Sequence, residues 1–204
     1  MIIAVDGPAA SGKGSLARRL SEHYGLPHLD TGLLYRAVGQ RLLLDGRPLS
    51  DAEAATSIAQ SFVPEWLNHP NLRSREAGKA ATAVAIISGV RKALKDFQIA
   101  FTRNPSGAVL DGRDIGTMIA PNADIKLWVT ADAAIRANRR YKELVAKGSH
   151  VIEADILNDL MARDANDAPN MIMAEDAVIV DTSLMSLEDA FARVVEICEV
   201  YIPH

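Results

Sequence analysis

After the apolar run Ile2-Ile3-Ala4-Val5 and one acidic residue, Asp6, the chain reads Gly7-Pro8-Ala9-Ala10-Ser11-Gly12-Lys13-Gly14-Ser15. The spacing satisfies G-x-x-x-x-G-K in full, and the hydroxyl residue, Ser15, comes one place late, behind Gly14. A chain of phosphates needs many N–H donors converging on a small anion. Backbone must then approach closely, and Gly7 and Gly12 lack the Cβ that would obstruct the curl. The loop is therefore read as holding the phosphates of a nucleoside triphosphate. Lys13 reaches the β and γ oxygens as a mobile point charge, and Ser15 holds Mg2+ directly or through water. A bare glycine turn between a strand and a helix would explain neither the lysine nor the hydroxyl.

The elements that must position this loop follow from the patterning. Residues 2–6 predict a strand. Lys13 to about Tyr24 predicts a helix, with Leu16, Ala17 and Leu20 on one face. Its first N–H groups have no intrahelical partner and favour an anion at the loop. A short strand is expected over Leu26–Leu29, then a polar turn, Asp30-Thr31-Gly32, in which Asp30 or Thr31 caps a helix from Leu33 to about Leu44. A helix from Ser50 to about Gln60 stops before Pro64, and Glu65 to Arg73 reads as irregular. Helices over 74–87 and 89–102 are divided at Ser88-Gly89. Further strands are expected at 107–111, 125–130 and 177–180, and helices at 132–147, 151–165 and 186–200. Strands alternating with helices predict an α/β fold with a parallel sheet covered on both faces. Ligands of such sheets bind beyond the strands' carboxyl ends, where the loop, Asp30-Thr31 and Asp111–Asp114 all fall.

Composition narrows the possibilities. A chain of 204 residues with 49% hydrophobic and 24% charged residues builds one packed core, with at most a small insert. A net charge of −4 argues against broad nucleic-acid binding, and no apolar run is long enough to cross a bilayer. One cysteine, Cys198, excludes an internal disulfide and a multi-cysteine zinc site, and its apolar helical stripe marks it as packing. Residues 2–5 lack the pattern of a secretory signal, so the cytoplasm is expected.

Four segments together resemble the bacterial cytidylate kinases. They are Asp6 to Ser15, then Leu29-Asp30-Thr31-Gly32-Leu33-Leu34-Tyr35-Arg36, then Asp111-Gly112-Arg113-Asp114-Ile115-Gly116-Thr117, then Asp181-Thr182-Ser183. The late hydroxyl of G-K-G-[ST] is itself common among nucleoside monophosphate kinases. The resemblance implies ATP-dependent phosphorylation of CMP and dCMP, giving CDP and dCDP by direct in-line transfer. It implies a three-layer P-loop kinase fold with a parallel five-stranded sheet, a short monophosphate-binding insert and a mobile lid. One domain, 1–204, would comprise a core of about 1–36 and 87–204, an acceptor-binding region of about 37–86 and a lid of about 139–170. A monomer is expected.

The acceptor phosphate is already ionised near neutral pH, so no general base is required. The difficulty is repulsion and alignment of two anions, which arginine's planar fork answers. By resemblance, Arg36 and Arg113 bind the acceptor phosphate, beside Thr31. Asp114, Arg91 and Thr82 read the cytosine edge, and Asp167 contacts the sugar. Thr82 equally fits a hydroxyl bonded back along its own helix. Asp111 either holds a metal-bound water or caps its neighbours. Arg136, Arg139 and Arg140 share one helical face, and the matching family arginines belong to the lid; Arg163 is a further lid arginine. Lys13, Arg113, Arg139 and Arg163 are the expected catalytic set.

The chain departs from the family pattern R-D-x-x-D-x-x-R, reading Arg163-Asp164-Ala165-Asn166-Asp167-Ala168-Pro169-Asn170. Asn170 supplies no guanidinium, which would weaken acceptor binding about tenfold or more unless another arginine substitutes. Residues 61–73 are short beside family members that carry a small sheet there. His23, His28, His69, His150 and His204 lack metal-ligand spacing, and Trp66 and Trp128 read as packing. Two alternatives stand beside the cytidylate reading: a kinase for another monophosphate or small metabolite, and a nucleotide-binding switch with a degenerate acceptor site.

Overall fold

The computed structural model describes residues 1–201. Two compact units make up the chain: Met1–Leu29 together with the residues from Pro105 onward, and Asp30–Asn104.

The first unit is built on a sheet of five strands, β1 (Ile2–Asp6), β2 (His28–Asp30), β3 (Ala108–Gly112), β4 (Ile125–Thr130) and β5 (Val178–Asp181). Their order is β2-β3-β1-β4-β5, and β1 pairs in parallel with β3 on one side and β4 on the other. The order reverses at β1, so its carboxyl end is the expected ligand crevice. The glycine loop leaves from that end and enters α1 (Lys13–Tyr24). Ile3 and Val5 share one face of β1. They form a core with Leu16, Ala17 and Leu20 of α1, Ile125, Leu127 and Val129 of β4, and Val194, Ile197 and Cys198 of the C-terminal helix, Leu187–Tyr201. Cys198 is fully buried there, as its stripe predicts.

Strand β2 begins two residues later than the pattern suggests, and the cause is local. Gly25 takes a left-handed conformation (φ 64°) that closes α1, and the Leu26 N–H donates back to Ser21 O at 2.9 Å. Leu26 is thereby consumed by the helix end. A π-helical turn, Ile115–Ile119, follows β3 where no element is expected.

The second unit is helical: α2 (Thr31–Leu44), α3 (Ala52–Gln60), α4 (Arg75–Ala85) and α5 (Ser88–Phe101). The side chains of Asp51 and Ser74 cap α3 and α4. Asp30 occupies the cap position of α2 without making a side-chain cap bond. The stretch read as irregular holds two short 3-10 turns, Pro64–Asn68 and Pro70–Arg73, each opened by a proline with its φ already fixed. Gly39 lets α2 meet α4: a Cβ there would lie 2.7 Å from Ala80 Cβ. The chain returns to the first unit, whose remaining helices are α6 (Ala133–Ala146), α7 (Glu153–Asp167) and α8 (Leu187–Tyr201). Among the described residues no helix is long and apolar enough to cross a membrane.

Candidate active site

The glycine loop is held open from behind. Position 7 requires glycine, since its φ is 145° and a Cβ there would stand 2.0 Å from Val129 O; Gly12 (φ 92°) and Ala10 (φ 60°) complete the curl. Three loop carbonyls are engaged on the protein side. Lys13 Nζ donates to Pro8 O at 3.3 Å, Arg136 Nη1 to Ala9 O at 3.0 Å, and Thr182 Oγ1 to Ser11 O at 3.1 Å. Carbonyls turned and held this way leave the N–H side of the loop to face an anion. The Ser11 hydroxyl is buried with no hydrogen-bond partner, the mark of a cradle built for a polar ligand.

Beside the loop, Ser15 lies exposed in the first turn of α1. Asp111, at the end of β3, is bonded to His28 Nε2 through Oδ1 at 2.7 Å. Its Oδ2 would lie 3.5 Å from a Cβ on Gly14. A hydroxyl and a carboxylate flanking a phosphate loop are hard oxygen donors suited to Mg2+, which takes one or two protein ligands and completes its shell with phosphate and water. No cluster of three or more histidine, cysteine or acidic groups among the described residues offers a dedicated metal cage.

A cleft of about 290 Å³ opens against the loop, with Ser11, Ser15 and Arg139 on its polar side and Leu16, Met185 and Leu187 on its apolar side. Arg139 is braced at its wall. Its Nη1 donates to Thr182 Oγ1 at 3.0 Å and its Nη2 to the carbonyls of Thr182 and Met185.

The arginines expected as one lid cluster go to different places. Arg136 is 5% exposed and spends its guanidinium on Ala131 O, Ala9 O and Asp164 Oδ2, tying α6 and α7 to the glycine loop. Ala9 packs there with Ala137, Ile156 and Leu160. Arg140 pairs locally, with Glu143 at 2.6 Å.

Arg113, just past β3, donates through Nε to Asp167 Oδ2 at 2.9 Å, and Arg163 Nε lies 3.8 Å from the same oxygen. Three of the residues singled out from sequence thus meet in the first unit. Asp114 stands next to Arg113, its backbone carbonyl accepting from Met118 N. Asn170 ends the short turn Ala168–Asn170 that follows α7.

In the second unit, Thr31 is buried at the start of α2, and Arg36, on the same helix, donates through Nη1 to Leu72 O at 2.8 Å and Ser74 O at 3.1 Å. Gly78 gives that guanidinium room, since a Cβ there would be 3.4 Å from Nη2. The Thr82 hydroxyl donates to Gly78 O at 3.2 Å, so Arg36 and Thr82 converge on the same turn of α4. Arg91 lies half-buried in the first turn of α5.

Sequence reasoning missed two groups. Asp6 is 5% exposed and accepts from Ile115 N at 2.9 Å and Gly116 N at 2.8 Å. Burial pushes its carboxyl up to about 6 from an ordinary 3.8, against the pull of those two N–H groups. His28, whose spacing to the other histidines suggests no metal site and which reads as a surface or loop residue, binds Asp111. No local signal announces either role, because each partner lies far along the chain.

Residues 3–200 match the family model described as cytidylate kinase. A cytidylate kinase from Xanthobacter autotrophicus is 50% identical, over 98% of this chain and 97% of its own. One from Methylocella silvestris is 52% identical, over 98% of this chain and 94% of its own. Among solved structures, an uncharacterised protein from Eubacterium ventriosum superposes with a TM-score of 0.58 at 13% identity, covering 98% of both chains. TT1252 from Thermus thermophilus does so at 0.53 and 17% identity, covering 100% of this chain and 98% of its own. At such identities these two speak for the fold alone, a parallel sheet with helices packed around it.

Proposed function

Because the chain belongs to the cytidylate kinase family, we infer from its own groups how it carries out phosphorylation of CMP and dCMP. ATP is the donor. An ionised oxygen of the acceptor phosphate attacks the γ-phosphorus in line, the bond to the β–γ bridging oxygen breaks, and ADP leaves as CDP or dCDP forms. No proton must be removed from the nucleophile, so the residues position charge.

The N–H groups of the loop between Gly7 and Ser15, to which Pro8 contributes none, hold the donor's phosphates, and Lys13 swings from Pro8 O onto them. Ser15, with Asp111 steadied by His28, would hold Mg2+, which when bound neutralises charge on the β and γ oxygens. Arg113 and Arg163 share Asp167, and both guanidinium groups turn to phosphate oxygens when substrates bind. Arg36 binds the acceptor phosphate beside Thr31. Asp114 accepts from the cytosine amino group, Arg91 donates to the ring acceptors, Thr82 adds its hydroxyl, and Asp167 holds the sugar. Arg139 closes the donor side. The unit Asp30–Asn104 contains the acceptor-binding region, about 37–86, and about 139–170 acts as the lid. A cytoplasmic monomer suits two free nucleotide substrates.

The observation that carries this reading is the loop whose Pro8, Ala9 and Ser11 carbonyls are each taken by a side chain, with the Ser11 hydroxyl left for a ligand. A coupled ADP-release assay over CMP, dCMP, UMP, AMP and GMP tests it. Fastest turnover on CMP or dCMP is expected. Fastest turnover on AMP or GMP would overturn the acceptor assignment, and ATP binding with no acceptor-dependent turnover would point to a switch.

A further inference from the structure

We propose that Asp6 is a positioning residue that locks the Arg113-Asp114 turn to the strand end carrying the phosphate loop. The proposal rests on the reading of Arg113 and Asp114 as acceptor-binding groups. Asp6 is the last residue of β1 and pairs in the sheet with Gly112 of β3 and Trp128 of β4. Its backbone is therefore fixed from both sides, and Gly7 follows directly.

Its side chain reaches across to the turn after β3. Each carboxylate oxygen takes one N–H, Oδ1 from Ile115 at 2.9 Å and Oδ2 from Gly116 at 2.8 Å. These are the first two N–H groups of the π-helical turn Ile115–Ile119, which closes through Ala120 N donating to Ile115 O at 2.7 Å. A single π-turn is an uncommon conformation with little support of its own, and its leading N–H groups have no partner within the turn. The fork of Asp6 supplies both. Arg113 and Asp114 sit between that clamp and the strand β3, so the backbone is anchored immediately before and after them. One residue thus sets the spacing between the donor loop and the acceptor groups.

A buried carboxylate is a costly way to stabilise a turn. Burial also disfavours its charge, as its raised pKa of about 6 records. The Lys13 charge offsets only part of that cost, while the Lys126 ammonium is bound to Asp176 at 2.8 Å. Ile115 and Gly116 each donate one N–H to it, which makes their placement the function of the side chain.

Asp6→Asn tests this, because the amide keeps the shape but sets an NH2 group against one of the two N–H donors. The expected result is a KM for CMP raised about tenfold with a lowered kcat, while KM for ATP stays within about twofold. Equal rises in both KM values, or no rise in either, would overturn the proposal. Amide hydrogen exchange on the unaltered protein gives a second readout that needs no variant to fold. Ile115 and Gly116 should be protected without ligand, and exchange at the rate of exposed amides would overturn it. Arg113→Ala separates the two layers of the argument. If it is impaired and Asp6→Asn is not, the positioning role falls; if Arg113→Ala itself is unimpaired, the acceptor reading beneath it falls.

Discussion

Arg136, Arg139 and Arg140 lie within five positions on α6, and each guanidinium does different work. Arg136 is buried with three acceptors; losing it would strand the Asp164 carboxylate, whose Oδ1 already lacks a partner. Arg136→Ala is expected to lower the unfolding free energy by about 3 kcal/mol in a urea titration. Arg140→Ala, which breaks one half-exposed local pair, should change it by less than about 0.5 kcal/mol. Asp6 predicts a pH dependence of the opposite sign to most carboxylates. Burial first, and then Asp114, hold its carboxyl up at about 6, against Gly116, Ile115 and Lys13. Between about 4 and about 6 the folded chain keeps a proton that the unfolded chain has released. Its contribution to stability therefore falls as pH rises through that window, by an amount on the order of 3 kcal/mol. Urea titrations across the window should show that slope in the unaltered protein and a flatter one in Asp6→Asn.

The glycine loop and the segment after α7 carry the predictions at the level of elements. Gly7 sits where β1 hands over to the loop, and a Cβ would strike the backbone of β4 at Val129. Gly7→Ala should cost about 2–3 kcal/mol of stability and abolish measurable ATP binding by calorimetry. Gly14→Ala meets only Asp111 Oδ2 at an ordinary 3.5 Å, so its stability should stay within about 0.5 kcal/mol of the parent. The turn Ala168–Asn170 follows α7 directly, and Asn170 stands where the family pattern R-D-x-x-D-x-x-R has its last arginine. Asn170→Arg should lower KM for CMP about tenfold in the coupled assay, since a charge-assisted hydrogen bond replaces a neutral one. An unchanged KM would mean that another cation already fills the role.

At the scale of the whole molecule, nucleotides bind the folded chain and not the unfolded one, so they must stabilise it. ATP with Mg2+ at a hundred times its Kd should add about 2.7 kcal/mol. For a chain of this size that raises Tm by about 5–10 °C in scanning calorimetry. CMP alone should act in the same direction, and its failure to do so would count against an acceptor site in the ligand-free state. The sheet, α1 and the glycine loop that joins it to β1 were legible from sequence because contiguous residues specify them. Alternation marks a strand, and glycines at fixed spacing with a lysine mark a phosphate cradle. The π-turn and the two proline-led 3-10 turns were not legible, because short irregular elements leave no period. The sequence alone also determined the reaction class, through motifs whose chemistry lies within a few residues. The tertiary structure alone decided the long-range pairings: Asp6 with Ile115 and Gly116, His28 with Asp111, and Arg136 with Ala9, each across 83 to 127 positions. A side chain's type fixes what it can donate or accept, but only the sheet order and the helices packed on it bring a partner within reach.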